Sequence, residues 1–234
     1  MIAWALAVND VRLQWRYGIY LAYGFVIALY AGVLAWAGPH LPPWVPAIII
    51  FTDPAALGFF FLGALMMLER AERVTAALAV APVSAADYFI AKCATLTGVA
   101  LIAYAILLLF IRRPANPALL LFTVALTSVQ YLGIGVPIAL RFNTVSAYLI
   151  GSAGFLTPVI APAALALADT LPLPLLLIPA AAQLRLMLVA TGAAPADGGE
   201  IAFCLLVCIA AVAGAVHEVN RVPATGALFP ADQR

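Results

Sequence analysis

Long apolar segments alternate with short polar or proline-rich ones along the whole chain. Each apolar segment is close to the roughly 20 residues that a helix needs to cross the hydrocarbon core of a bilayer. Six of them predict transmembrane helices, at residues 17–38, 47–68, 88–111, 118–140, 145–167 and 201–219. The pattern therefore predicts an all-α, polytopic membrane protein in which residues 1–234 form a single transmembrane domain.

Two further segments do not fit a crossing helix. Residues 1–16 mix tryptophan and arginine with apolar residues, a combination that favours an interfacial helix on the membrane surface. Residues 171–190 are apolar enough to cross, but they contain three prolines together with Gln183 and Arg185. We expect an outer re-entrant hairpin there, and a seventh crossing is the alternative.

Lysine and arginine residues set the expected orientation, because they are biased to the cytoplasmic side. With six crossings and both termini inside, eight lie on the inner face and three on the outer face. The inner set is Arg12, Arg16, Arg70, Arg73, Lys92, Arg141, Arg221 and Arg234, and the outer set is Arg112, Arg113 and Arg185. A seventh crossing would move the tail outside and weaken this contrast, so six crossings are favoured.

Composition agrees with the membrane assignment and excludes several functions. The chain is 66% hydrophobic and 9% charged, with a mean hydropathy of +1.12, whereas soluble domains contain about 25% charged residues. The net charge of +1 and a single lysine do not favour nucleic acid as a partner. The sequence contains no phosphate-binding loop, nucleophile elbow or metal-spaced His/Cys cluster. We therefore expect no catalytic residues, no cofactor and no metal site, and a protein that is not an enzyme.

The polar segment 69–92 interrupts the apolar pattern between the second and third predicted crossings. Residues 74–81 are helix-compatible and Pro82 ends that helix. Ser84 and Asp87 form a capping-box pattern that starts the next one. A short helix on the inner membrane surface is expected, with its apolar side either on lipid or in a groove of a soluble partner.

Asp53 and Pro54 interrupt the second predicted crossing. A carboxylate inside hydrocarbon is costly and often marks a functional site. Asp is also a good N-cap and Pro suits the first helical position. We favour the interpretation that Asp53 starts the helix proper near the outer interface.

Small residues recur every four positions on the first predicted crossing, at Gly24, Ala28 and Gly32. Such a face lets another helix approach closely. It is a candidate dimer contact.

Segment 69–92 resembles the permease subunits of type 2 ATP-binding-cassette exporters. Their inner stretch reads E-R-x-x-G-T-L-E-x-L-x-x-(S/T)-P-(V/L), followed by a Tyr or Leu and a Lys at the start of the third crossing. The matching residues are Glu69, Arg70, Glu72, Leu78, Val80, Pro82, Val83, Ser84, Tyr88 and Lys92, while Arg73 and Ala76 stand where the family has Gly and Glu. Asp53-Pro54-x-x-Leu57-Gly58 is similar to the bacterial drug-export branch, including permeases for fluoroquinolone export. The six-crossing layout, the interfacial helix and the outer hairpin extend the resemblance over the chain.

The resemblance implies a half-transporter in the cytoplasmic membrane of a prokaryote. Its partners would be a separate ATP-binding-cassette ATPase subunit, a second permease copy or sister permease, and membrane lipid. The cargo would be a hydrophobic or amphipathic small molecule. A coupling helix would meet the ATPase through Glu69, Arg70, Glu72, Arg73, Leu78, Val80 and Pro82. The alternative is a non-transporting scaffold or anchor that recruits a soluble partner through segment 69–92.

Overall fold

The computed structural model describes residues 2–37, 40–72, 74, 83–111, 114–168 and 172–221, and within these ranges the chain is helical without any strand. The α-helices are α1 (Ile2–Arg16), α2 (Ile19–Ala37), α3 (Val45–Ala56), α4 (Leu62–Ala71), α5 (Ala85–Leu108), α6 (Pro117–Ala139), α7 (Val145–Ile160), α8 (Pro179–Thr191) and α9 (Gly198–Arg221). A π-helical turn, Leu57–Phe61, joins α3 to α4. Two 3-10 segments, Ala161–Leu167 and Leu173–Leu177, lie between α7 and α8. The all-α expectation is confirmed for the described residues.

Six helices in the described part of the chain are long and apolar enough to cross a membrane. They are Ile19–Ala37, Val45–Ala71, Ala86–Leu108, Pro117–Ala139, Val145–Leu167 and Gly198–Arg221. The predicted number and order of apolar helices are confirmed, with ends that differ by a few residues. The chain therefore has the helices of a multi-pass membrane protein.

Side-chain caps fix where several helices begin. The Ser84 hydroxyl accepts from the Asp87 backbone N–H, and the Asp87 carboxylate accepts from the Ser84 backbone N–H, so the predicted capping box is confirmed. This cap starts α5 three residues before the predicted crossing. Asn116 caps α6 ahead of Pro117, and Thr144 caps α7. Each cap satisfies a backbone donor that would otherwise be unpaired at a helix start.

The interpretation of Asp53 as a helix cap is wrong. Helix α3 begins at Val45, so Asp53 and Pro54 lie inside it rather than at its start. The Asp53 side chain is buried and accepts a hydrogen bond from the Tyr23 hydroxyl of α2. Because a neighbouring helix supplies this donor, the carboxylate does not need a place at the membrane interface.

A proline and a π-helical turn interrupt the regular α-helical hydrogen bonding of the second apolar helix. Pro54 removes one backbone donor from α3, and the π-helical turn Leu57–Phe61 follows directly. The Tyr148 hydroxyl of α7 donates to the Phe59 carbonyl inside this turn. A side chain from another helix thus satisfies a carbonyl in the irregular segment, as the low-dielectric interior requires.

Helix α6 lies at the centre of the bundle, in contact with α3, α4, α5, α7, α8 and α9. Its closest approach is to α9, where a methyl group added at Gly133 would lie 2.7 Å from the Ala215 Cβ. A glycine is therefore required at this crossing, because any larger side chain would separate the two helices.

Helix α8 is short and deeply buried. Its 13 residues span about 20 Å, less than the thickness of a bilayer core. Residues 180–188 are all buried, and the Gln183 side-chain amide donates to Gln130 of α6 at 2.7 Å. The length agrees with a segment that does not cross, while the outer re-entrant placement of residues 171–190 stays a prediction.

Candidate functional site: a buried ionic junction beside segment 69–92

Helices α4 and α5 flank the loop of segment 69–92, and their facing ends carry polar side chains that point into the protein. Glu69 lies in the last turns of α4, and Tyr88 and Lys92 lie in the first turns of α5. Helix α1 packs against α5 and brings Asp10 to the same place. We call Asp10, Glu69, Tyr88 and Lys92 the ionic junction.

Lys92, the only lysine of the chain, is the centre of the ionic junction and is 0% exposed. Its Nζ donates to Asp10 Oδ1 at 2.6 Å and to Glu69 Oε1. The Tyr88 hydroxyl donates to Glu69 Oε2 at 2.5 Å, and Lys92 Nζ lies 4.9 Å from the Tyr88 ring centroid. One ammonium thus joins α1, α4 and α5.

The burial of this junction determines its energetic role. Taking charges out of water is costly, and the mutual attraction of buried charges repays that cost only with good geometry and further hydrogen bonds. Lys92 makes two charged contacts, and Glu69 has donors on both carboxylate oxygens. Breaking such a group is expensive because a charge would be left unpaired in the interior. The three helix segments are therefore held in one arrangement.

A second set of contacts surrounds the ionic junction. Arg16 at the end of α1 pairs with Glu72, next to the end of α4, on an exposed edge. This hydrogen bond lowers the pKa of Glu72 and raises that of Arg16. Arg70 Nη1 donates to the Phe142 carbonyl at 3.4 Å, in the turn between α6 and α7. The α4 side of the loop is thus bonded to three other parts of the protein: α1, α5 and the turn between α6 and α7.

The structure describes only some of the residues that were predicted to couple to a partner. Glu69, Arg70 and Glu72 are described, and each bonds to a different element. Glu69 is buried at 1% exposure, so it supports the loop from within and does not face a docking partner. The remaining predicted residues, Arg73, Leu78, Val80 and Pro82, lie outside the described residues, as does most of the predicted coupling helix.

Sequence reasoning missed the ionic junction itself. Tyr88 entered through the resemblance, Lys92 was also counted among the inner-face cations, and Asp10 lies within residues 1–16, for which an interfacial helix was expected. A usable signal was the unique lysine, because one cation among so many apolar residues needs an acidic partner. The identity of that partner depended on how α1 packs, which no local pattern specifies.

The predicted dimer face is open in the single chain. Gly24, Ala28 and Gly32 are exposed on α2, and a methyl group built at either glycine meets nothing within 4 Å. An apolar groove runs beside this face between α2 and α5, with Ile27 and Val99 on its two sides. The small-residue face is thus free of contacts from the described part of its own chain.

The opposite end of the bundle has its own ionic contact. Arg185 of α8 donates from Nε to Glu200 Oε1 at 2.6 Å and from Nη2 to the Pro195 carbonyl at 3.0 Å. Asp197 accepts from the Glu200 backbone N–H at the start of α9. These bonds fix the turn that joins α8 to α9.

Comparisons with known proteins find no family model that matches the chain and no significant match among curated proteins. The function is therefore inferred from the residues and their contacts.

Proposed function

We propose that this chain is the permease subunit of an ATP-binding-cassette exporter in the cytoplasmic membrane of a prokaryote, with both termini in the cytoplasm. It would move a hydrophobic or amphipathic small molecule with ATP hydrolysed by a separate subunit. The resemblance in segment 69–92 and the six apolar helices support this proposal.

One observation supports the coupling role most directly: segment 69–92 is anchored to several helices at its base. Lys92 bonds to Glu69 across the loop and to Asp10 of α1. Arg70 and Glu72 add contacts to Phe142 and Arg16. A flexible solvent loop would not need such anchoring. A force applied to residues 73–82 would move α1, α4 and α5 together instead of bending the loop alone.

The anchoring of segment 69–92 provides a way for ATP to change access to a path through the membrane. A helix of segment 69–92 would sit in a groove of the ATPase, a common mode of recognition. ATP can shift the permease between two states only if the ATPase contacts it differently in each. The ionic junction would convert that difference into a tilt of α4 and α5, the two helices that it joins at the loop.

A second copy, or a sister permease, would complete the cargo path. The open face at Gly24, Ala28 and Gly32 supports this part of the proposal, because small residues permit close helix contact within a membrane. The apolar groove between α2 and α5 would add further surface to the contact between the two copies.

The proposal requires an ATPase with a phosphate-binding loop to be encoded beside the gene of this chain. The test is co-expression with that ATPase, followed by co-purification and ATP-dependent uptake of a hydrophobic dye into inside-out vesicles. We expect Leu78→Asp to abolish assembly while the chain still inserts, because a charge would enter the apolar side of the coupling helix. Asn143→Asp is the matched control, since it adds the same charge to an exposed turn at the same end of the bundle.

Three results would count against the proposal. Normal assembly and uptake with Leu78→Asp would exclude the coupling role. Equal loss with Asn143→Asp would mean that added charge, not the helix, is responsible. Assembly with a soluble partner but no ATP-dependent uptake in the unsubstituted protein would favour a scaffold or anchor.

A further inference from the structure

Two buried oxygens beside the ionic junction have no donor. Among the described residues, nothing donates to Asp10 Oδ2 or to Gln14 Oε1. Asp10 is 5% exposed and Gln14 is 0% exposed. The other polar atom of each side chain is engaged, since Asp10 Oδ1 accepts from Lys92 and Gln14 Nε2 donates to Thr95 at 3.1 Å. A buried acceptor without a donor is costly, so this pair of oxygens needs an explanation.

The positions of Asp10 and Gln14 on α1 explain how both oxygens can find a partner. Asp10 and Gln14 are four residues apart on α1, so they lie on the same helix face with Cβ atoms about 5–6 Å apart. Two acceptors cannot bond to each other. A single hydrogen between them would give both oxygens a partner.

The net charge of the ionic junction also calls for one additional proton. With every group ionised, Asp10, Glu69 and Lys92 together carry one excess negative charge. One proton would make this buried group neutral.

The remaining groups around Asp10 do not supply a second positive charge. Tyr20 of α2 and Tyr88 of α5 interact electrostatically with Asp10, and both are neutral phenols. Arg16 is engaged with Glu72 at the exposed edge, and Arg70 donates to the Phe142 carbonyl. Within the described residues, Lys92 is thus the cation that Asp10 contacts.

We propose that the ionic junction is a proton-binding site, in which Asp10 Oδ2 carries the proton and donates it in a hydrogen bond to Gln14 Oε1. Lys92 keeps its contacts with Asp10 Oδ1 and Glu69 Oε1. The reaction is simple protonation of the Asp10 carboxylate, and the proton comes from and returns to water.

The electrostatics of the site agree with this assignment. Burial raises the pKa of Asp10 from 3.8 to about 6, with Lys92 opposing and Glu69 adding to the increase. Asp10 therefore binds a proton on the order of 100-fold more tightly than an ordinary aspartate. The proton is bound below about pH 6 and released above it.

Release of the proton would leave an uncompensated charge where α1, α4 and α5 meet. The contact of α1 with the two helices that flank the loop would then weaken above pH 6. This inference concerns the folded chain alone and does not depend on the proposed transport function.

The test is infrared difference spectroscopy of the purified chain in lipid nanodiscs, titrated from pH 8 to pH 4 in deuterated and ordinary water. Asp53, the other buried aspartate, is replaced by Asn in every sample so that it contributes no carboxyl band. On this background we expect the C=O stretch of a protonated carboxyl group to appear with a midpoint near pH 6. The band should be absent when Asp10→Asn is added. Glu218→Gln is the control, because it removes an exposed carboxylate that is not part of the junction and should leave the band unchanged.

A second variant keeps the test decisive if Asp10→Asn does not fold. Gln14→Met retains the size and burial of the side chain but removes the amide acceptor. We expect its titration midpoint to fall towards that of an ordinary aspartate, because the protonated form loses its hydrogen-bond acceptor. An unchanged midpoint would overturn the assignment of Gln14.

Other outcomes would overturn the site as a whole. A band that survives Asp10→Asn but disappears in Glu69→Gln would place the proton on Glu69. No band above pH 5 would mean that Asp10 stays ionised, as it would if a buried water donated to both oxygens. A titration that shifts when sodium replaces potassium would indicate a metal cation in place of the proton.

Discussion

Lys92→Met is the substitution that should most strongly destabilise the fold. Methionine keeps the apolar stem of the side chain but removes the ammonium group. Asp10 and Glu69 would then lose their shared donor and face each other as two buried carboxylates. Removing one partner of a buried ion pair costs about 3–5 kcal/mol. Lys92 is fully buried and its partners are at most 7% exposed, so little water can screen the remaining charges.

The free energy of unfolding can be measured in mixed micelles, with sodium dodecyl sulfate as denaturant. Tryptophan fluorescence suits this assay, because two of the four tryptophans, Trp4 and Trp15, lie on α1, the helix that the ionic junction holds. Arg221→Met is the matched control. It removes the cation of an exposed pair with Glu218, and exposed pairs contribute little.

Two further variants separate charge balance from simple loss of contacts. Glu69→Gln should be much milder than Lys92→Met, because Lys92 still pairs with Asp10 and the glutamine oxygen can still accept from Tyr88. Combining Asp10→Asn, Glu69→Gln and Lys92→Met should recover much of the lost stability, since no buried charge remains. A loss of under about 1 kcal/mol in Lys92→Met, or an equal loss in Glu69→Gln, would refute this reasoning.

Three other predictions concern separate parts of the molecule. Tyr23→Phe should lower the free energy of unfolding in the same assay by about 1–3 kcal/mol, because it removes the donor to buried Asp53. Asp53→Asn should lower it less, because the asparagine side-chain oxygen can still accept from Tyr23. The reverse order would contradict this role. Gly133→Ala should lower the free energy of unfolding by about 1–3 kcal/mol, because the added methyl group meets α9. Gly24→Ala faces open space and should leave the thermal midpoint of the monomer unchanged. Equal effects of the two substitutions would contradict the packing of α6 on α9. In an Asp53→Asn background, which removes the other buried aspartate, lowering the pH from 7.5 to 5 should stabilise the chain by about 1 kcal/mol. The reason is that the pKa of Asp10 is raised in the folded state, so the folded chain binds more protons than the unfolded chain between pH 3.8 and 6. The gain should vanish when Asp10→Asn is added, and a flat profile before that addition would contradict the assignment.

Features that depend on neighbouring residues along the chain were accessible from sequence. The six apolar helices were predicted because hydrocarbon thickness sets a minimum length for each. The start of α5 was predicted because the Ser84 and Asp87 capping box is a local hydrogen-bond pattern. Pro158 and Pro162 are a local signal of the same kind, because proline disfavours a continuous α-helix, and the α-helix changes to a 3-10 helix at Ala161 between them.

Features that depend on contacts between distant segments were not accessible. Asp53 was assigned as a cap because no local signal showed that Tyr23, 30 residues earlier, would satisfy it. The bond between Lys92 and Asp10 joins residues 82 positions apart and requires α1 to pack against α5. Side-chain burial, which turns these polar residues into a rigid junction, follows from that packing and not from composition.

Helix α8 also constrains the order in which the protein can be assembled in a membrane. Its buried run, residues 180–188, is covered by α3, α6 and the 3-10 segment Ala161–Leu167, all of which are synthesised before it. Helix α9, which is synthesised after it, closes the remaining side. Most of the elements that cover α8 therefore enter the membrane ahead of it. Arg185 leaves the ribosome 15 residues before Glu200, so a nascent chain that has released α8 but not the start of α9 lacks the carboxylate that holds Arg185. At this stage the chain should be most exposed to membrane quality control.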